Sequence, residues 1–141
     1  MPITRQDLRK IARARLKDSE VLFERSRYDG AIYLCGLAVE IALKARVCRV
    51  LGWATFPENT KEFNNFGLID IKTHDFVKLA KLCAIEHRIA ADVDRDTDWK
   101  QVATWRIELR YRHRGLASRG EAQKMLAATQ NLVAFILGRT K

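Results

Sequence analysis

The sequence is poor in the residues that build β-rich or membrane-embedded proteins. Its 141 residues include only 2 Pro and 7 Gly, and no segment shows the strict alternation that is typical of strands. No apolar run approaches the roughly 20 residues of a transmembrane helix, and the first residues lack the apolar core of a secretory signal. A chain of this length can bury one core. We therefore expect a single domain over residues 1–141, located in the cytoplasm.

Cysteine is scarce as well, with three residues that are odd in number and widely spaced: Cys35, Cys48 and Cys83. None belongs to a C-x-x-C pair, so the sequence indicates neither a disulfide framework nor a zinc site. The aspartates between positions 92 and 98 lack the glycine and glutamate of a calcium loop. We expect buried, reduced cysteines and a protein that binds neither a metal nor a cofactor.

Charge is unbalanced towards the basic side. The chain has 26 Lys and Arg against 17 Asp and Glu, which gives a net charge of +9. Such an excess favours anionic partners, nucleic acid first among them, through long-range attraction to phosphate. A generic DNA-binding helical protein is a weaker interpretation, because no helix-turn-helix spacing supports it.

Apolar residues recur at helical spacing in five segments, which predicts an all-α, up-and-down bundle of about five helices. The predicted helices begin at about Thr4, Ala31, Thr73, Asp98 and Ser118. Thr4 and Ser118 each precede an acidic residue by three positions, as in a capping box. One connection, at about residues 52–73, is unusually long, and either carries function or caps the core with its aromatic residues.

The second predicted helix, about residues 31–51, is apolar nearly all round, so it should be central and covered on several sides. The Asp29-Gly30 pair before it predicts a turn. Within the helix, Glu40 and Lys44 have the i,i+4 spacing of an ion pair. Burial would make either residue costly to leave unpaired, so we expect them to find each other or another polar group.

The fourth predicted helix carries an arginine and a histidine seven positions apart, Arg106 and His113. This spacing places both on one helical face, roughly 10 Å apart along the axis. The same face carries Trp99, Val102 and Leu109. A cation and a side chain that titrates near neutral pH therefore occupy a stripe that we expect to be buried or to face a partner.

Three segments resemble the HEPN domain family. Residues 28–45, Tyr-Asp-Gly-Ala-Ile-Tyr-Leu-Cys-Gly-Leu-Ala-Val-Glu-Ile-Ala-Leu-Lys-Ala, resemble its second helix, which typically contains an alanine-valine-glutamate-x-x-leucine-lysine run. Residues 73–79 resemble the start of its third helix. Arg106-x6-His113 is similar to the arginine–histidine signature of HEPN ribonucleases. The resemblance extends from about Thr4 to Leu137.

This resemblance implies a helical bundle that forms a homodimer, in which two Arg/His motifs meet in a composite cleft. Active members cleave RNA there without a metal and leave a cyclic phosphate. Many are toxins or defence effectors, often encoded beside a small nucleotidyltransferase antitoxin. For this chain, the resemblance therefore implies an RNA substrate, assembly as a homodimer and a nucleotidyltransferase-type antitoxin as a further partner.

The site residues follow from the resemblance and from their chemistry. His113 would move the proton of the 2′-hydroxyl or of the leaving oxygen, since its ordinary pKa lies near neutrality. Arg106 would make bidentate contact with the phosphate. A nucleophilic 2′-hydroxyl would restrict the substrate to RNA. Glu40 and Lys44 would support the site, and further charge along the RNA path would come from Arg110, Arg112 and Arg114.

A second interpretation stays open. Ile107 stands directly after Arg106, where active members commonly have a polar residue, often asparagine. The HEPN family also contains non-catalytic members that bind nucleic acid, nucleotides or partner proteins. His113 would then only complement a helix C-terminus, and the arginines that follow Arg106 would form a solvated face.

Overall fold

The computed structural model of the protein describes residues 3–57, 75–109 and 117–138, with only the backbone given over 104–109. These residues form six α-helices: α1 (Arg5–Glu24), α2 (Tyr28–Val50), α3 (Phe76–Leu82), α4 (Glu86–Ala90), α5 (Val93–Leu109) and α6 (Arg119–Leu137). Over the same residues there is no strand, and the only β-type pairing is an isolated bridge between Thr4 and Thr55. The predicted all-α bundle is confirmed.

The start of α1 follows from its sequence. Thr4 Oγ1 accepts from the amide of Asp7 at 3.0 Å, and the Asp7 carboxylate accepts from the Thr4 amide at 3.0 Å. The two bonds form the predicted capping box. Hydrogen bonding to the carboxylate by the Thr4 amide, and then by the Thr4 side chain, lowers the pKa of Asp7.

The start of α2 differs from the prediction. The chain reverses over residues 25–27, with Ser26 at φ 61°, so α2 begins at Tyr28 and takes Asp29 and Gly30 into its first turn. A Cβ atom on Gly30 would lie 3.1 Å from Leu22 Cδ1. Glycine at this position therefore permits the close approach of α1 and α2, and the Asp29-Gly30 pair does not form the predicted turn.

The centre of the bundle is α2, as its all-round apolar sequence predicts. It packs against α1, α3, α5 and α6. Ile32, Val39 and Leu43 are completely buried, and each such side chain contributes roughly 1.5–3 kcal/mol relative to an exposed one. The surrounding helices are therefore held mainly by their contacts with α2.

The third predicted helix is two short helices in the structure. Ala84 has a φ of 54°, in the left-handed region, which ends α3 after Leu82 and starts α4 at Glu86. The reversal directs Ile85 into the core, where it is completely buried. The helix cap is Asp75, whose carboxylate accepts from the amides of Val77 and Lys78; the expected cap, Thr73, lies outside the described residues.

The helix that carries Arg106 begins earlier than predicted. The first turn of α5 contains Asp94 and Asp96, and Asp92 Oδ1 accepts from the amide of Arg95 at 3.0 Å. Carboxylates at a helix N-terminus complement its positive dipole. The aspartates that precede the predicted start at Asp98 therefore form the beginning of α5 itself. The predicted Ser118 cap of α6 is present, with its Oγ accepting from the Glu121 amide at 3.1 Å.

Contacts between helices fix the orientation of the bundle. The Arg95 guanidinium of α5 lies over the Phe135 ring of α6. Three residues further along α5, Asp98 accepts a hydrogen bond from Asn131, which is four residues earlier on α6, so the two helices are antiparallel. Arg9 of α1 donates to the Leu137 carbonyl at the end of α6. We call the end formed by Thr4, Val50 and Leu137 the lower end, and the opposite end, at residues 25–27, the upper end.

The cysteines are buried free thiols, as expected. Burial is the main cause that raises the pKa of all three, to about 11 for Cys48 and for Cys83. No helix of the described residues is long and apolar enough to cross a membrane.

One ion pair lies inside the apolar helix α2. Lys44 Nζ is 3.3 Å from Glu40 Oε2, and the side chains are 14% and 4% exposed, respectively. The Lys44 ammonium also lies 5.6 Å from the centre of the Phe56 ring. The pair satisfies a buried carboxylate and fastens α2 to the segment after it.

We predict that Lys44→Leu destabilises the fold by about 2–3 kcal/mol, because the carboxylate loses its cation in a buried setting. Glu40→Leu should cost less, since the Lys44 side chain is the more exposed of the two. The double variant should be more stable than Lys44→Leu alone, with a coupling energy of about 1–2 kcal/mol. Urea unfolding of the four proteins measures this cycle; strictly additive losses would contradict the prediction.

Candidate functional site

The motif helix α5 is continuous from Val93 to Leu109, so Arg106 lies on a helix as predicted. Val102 is completely buried, and the Trp99 ring packs 6.1 Å from the Phe76 ring. The predicted stripe is therefore core-facing over its first part. Arg106 follows Val102 by four positions on the same helix.

The pairing of α5 with α6 places Arg106 near the upper end. Asp98 pairs with Asn131, so Arg106, eight residues further along the antiparallel helix, is level with about residue 123 of α6. The predicted catalytic His113 and the predicted RNA-binding Arg110, Arg112 and Arg114 lie outside the described residues. Their positions in the site remain predictions.

A hydrogen bond fastens Ala117, which comes shortly before α6, to α2. The amide of Ala117 donates to Asp29 Oδ1 at 3.0 Å, across a separation of 88 residues. Ala117 is buried, and it comes four residues after His113. The described residues on either side of 110–116 are thus held by α5 before it and by Asp29 after it.

An aromatic and cationic cluster lies beside this anchor at the upper end. The Phe23 and Tyr28 rings have centres 5.7 Å apart, and the Arg119 guanidinium carbon lies 4.9 Å from the centre of the Phe23 ring. Tyr28 Oη donates to Ser26 Oγ at 3.3 Å. Hydrogen bonds with Ser26 and then with Arg119 lower the pKa of Tyr28. Aromatic faces beside an arginine can stack a base and hold its phosphate.

Glu40 and Lys44 occupy a different part of the bundle. Glu40 lies eleven residues after Asp29 on the same helix, about 16 Å along the axis. The structure therefore does not bring the ion pair beside the Asp29 anchor. Among the residues that the structure describes, no group of three or more His, Cys, Asp or Glu side chains is arranged to hold a metal ion.

The sequence alone does not identify three residues beside the candidate site: Asp29, Tyr28 and Arg119. Asp29 was interpreted as part of a turn, and its true partner is an amide 88 residues away. The only signal in the sequence is that Tyr28 and Asp29 open the segment that resembles HEPN domains. Arg119 carries no such signal, because it reaches Phe23 and Tyr28 only through the packing of α6 on α1 and α2.

Comparison with known proteins identifies one family. Residues 5–58 match the family model of the HEPN domain, a segment that contains α1 and α2 and covers somewhat more than a third of the chain. No curated protein and no solved structure shows a significant match. The matched segment includes Asp29, Glu40 and Lys44, and ends before Arg106. Residues 5–58 therefore belong to the HEPN domain family, as the sequence resemblance predicted.

Proposed function

We propose that this protein is a metal-independent endoribonuclease of the HEPN type that acts as a toxin or defence effector. Arg106 and His113 of two chains would form a composite site at a homodimer interface. A nucleotidyltransferase-type antitoxin would be the regulatory partner. The whole chain, including the segment at about 52–73, would form a single domain.

The observation that carries this proposal is that the described residues on both sides of 110–116 are held in place, in a chain whose residues 5–58 match the HEPN family. The helix α5 contains Arg106, and Asp29 holds Ala117 just after the motif. Catalytic groups must keep their geometry to be effective, and anchoring a segment at both ends limits the positions it can adopt.

The chemistry assigns each residue a step. His113 takes the proton from the 2′-hydroxyl, whose oxygen attacks the neighbouring phosphorus and displaces the 5′-oxygen, and a histidine returns a proton to that leaving group. Arg106 neutralises the charge that develops on the phosphorane oxygens. Further phosphates would contact the arginines that follow: Arg110, Arg112 and Arg114. Glu40 and Lys44 would support the site only indirectly, through α2.

A non-catalytic HEPN module is the second candidate. Ile107 favours it, because an apolar residue follows the arginine where active members commonly have a polar one. Such a module would bind nucleic acid, a nucleotide or a partner protein through the same surface and leave RNA intact.

We predict that the wild-type protein cleaves single-stranded RNA in the presence of EDTA and leaves a cyclic phosphate end. His113→Ala should lower the rate by at least about 100-fold, because it removes the general acid–base group, while the dimer persists in light scattering. His87→Ala is the matched control, since His87 is exposed on α4. Intact RNA after incubation with a folded dimer would favour the non-catalytic candidate. Wild-type rates in His113→Ala would show that another residue is responsible.

We predict that mixed dimers reveal a composite site. If one chain supplies the arginine and its partner the histidine, a dimer of an Arg106→Ala chain and a His113→Ala chain keeps one intact pair. Co-expression of the two inactive chains with different tags should restore about a quarter of the wild-type activity in a random mixture. Two sites contained within single chains would give no recovery.

We predict that Asp29 positions the motif segment. Asp29→Ala removes the acceptor of the Ala117 amide; it should lower kcat about tenfold with little change in KM, at a loss of about 1–2 kcal/mol in stability. Asp29→Asn keeps an acceptor oxygen and should recover most of the activity. Asp18→Ala, on the exposed surface of α1, is the control. Equal kinetics for the alanine and asparagine variants would remove Asp29 from the positioning role.

A further inference from the structure

Four arginines from four different helices converge on the C-terminal end of α6. Arg9 Nη1 of α1 donates to the Leu137 carbonyl at 2.6 Å. Arg49 of α2 lies close to Gly138, where an added Cβ would be 3.7 Å from its Nη1. The guanidinium carbons of Arg88 and Arg95 lie 5.0 Å and 3.7 Å from the centre of the Phe135 ring. This convergence is at the lower end of the bundle.

Attraction to the negative end of the α6 dipole explains part of this arginine cluster. The last turn of α6 contains no basic residue of its own, and its C-terminus has a partial charge of roughly −0.5. Four guanidinium groups exceed that charge several-fold. Only Arg9 makes a described hydrogen bond to a carbonyl of this last turn. Most of the positive charge at this end is therefore not balanced by the helix.

Two further arginines belong to the same surface, Arg5 at the start of α1 and Arg46 near the end of α2. Burial, followed by repulsion from Arg13, Arg49 and Arg5, lowers the pKa of Arg9. Burial lowers the pKa of Arg46, and Arg88 and Arg49 act in the same direction while Cys83 opposes them. Within the described part of the chain, Arg46 Nε is buried and has no hydrogen-bond acceptor. Together these residues form what we call the arginine patch: Arg5, Arg9, Arg46, Arg49, Arg88 and Arg95.

Nearby aspartates at the start of α5 are already engaged. Asp92 accepts from the Arg95 amide, Asp96 pairs with Lys100 at 3.0 Å, and Asp98 accepts from Asn131 at 3.2 Å. Only Asp96 is thereby paired with a cation; Asp92 and Asp98 keep their negative charge, and the six guanidinium groups of the patch outnumber these three carboxylates. An anion that binds it from outside would meet several guanidinium groups at once.

We propose that the arginine patch binds the phosphodiester backbone of a single-stranded nucleic acid, at a place separate from the Arg/His motif. Arg106 is eleven residues after Arg95 on α5, about 16 Å along the axis. The patch is built from arginine alone, and a guanidinium fork matches a phosphate better than the compact lysine ammonium does. The choice of a single strand, and of RNA, rests on the proposed function, whereas binding itself requires no cleavage.

An anionic membrane is the competing partner. Ile3, Val50 and Leu51 are exposed at the same end, with relative exposures of 41%, 46% and 38%. The three do not form the continuous apolar helix face that inserts into a membrane interface. The observations therefore favour a phosphodiester strand.

The test uses the full chain and a fluorescein-labelled oligonucleotide with 2′-O-methyl riboses, which cannot be cleaved. Arg5→Gln combined with Arg49→Gln removes two exposed members of the patch. Fluorescence anisotropy over a salt series should show a Kd about five- to tenfold weaker, and the slope of log K against log salt should fall by about 1.4 for two lost phosphate contacts on a single strand. Thermal melts check that the variant is folded.

Lys100→Gln combined with Lys124→Gln is the charge-matched control, because both lysines are exposed and neither belongs to the patch. It should retain most of the affinity and slope. Equal losses in the two variants would overturn the proposal, as would absence of oligonucleotide binding by the wild-type protein. Binding to phosphatidylserine vesicles without oligonucleotide binding would assign the patch to a membrane. A His113→Ala protein that binds like wild type would separate the patch from any failure of catalysis.

Discussion

The rest of the structure depends on the need to cover α2. A helix that is apolar on all sides is stable only when neighbours surround it, and α1, α3, α5 and α6 all pack on it. To cover α2, the helix α1 approaches it closely at Gly30, where no Cβ separates the two helices. The covering of α2 also buries Glu40, and this burial makes the pairing with Lys44 necessary. The same packing places Asp29, at the start of α2, where it can hold Ala117.

Features that depend on neighbouring residues were predictable from sequence. The Thr4–Asp7 capping box, the Ser118 cap and the central position of α2 all follow from spacings within a few residues, and the structure contains each of them. The ion pair of Glu40 and Lys44 belongs to the same class, since a single helical turn separates its members.

Features that depend on tertiary contacts were not predictable. The break at Ala84 puts a non-glycine residue in the left-handed region, at a strain of about 1 kcal/mol or more. Burial of Ile85 in the core offsets this strain, and no pattern in the neighbouring sequence predicts it. Asp29 has the composition of a turn residue, yet its partner is 88 positions away. The arginine patch draws its members from four helices, so no window of sequence contains it. For the candidate site, sequence predicted the stripe at Trp99 and Val102, but not the residues that surround it at the upper end.

The burial of α5 limits what can surround a charged residue at position 106. Val102 is completely buried, and Arg106 follows it by four residues on the same helix, near the upper end. Arginine keeps its charge at accessible pH, so a guanidinium that is removed from water must meet an anion or another polar group. Under the proposed function, a phosphate of RNA would be that anion, and a second chain packed over α5 would exclude the water that competes with it. The proposal therefore requires both partners at the same end of the bundle.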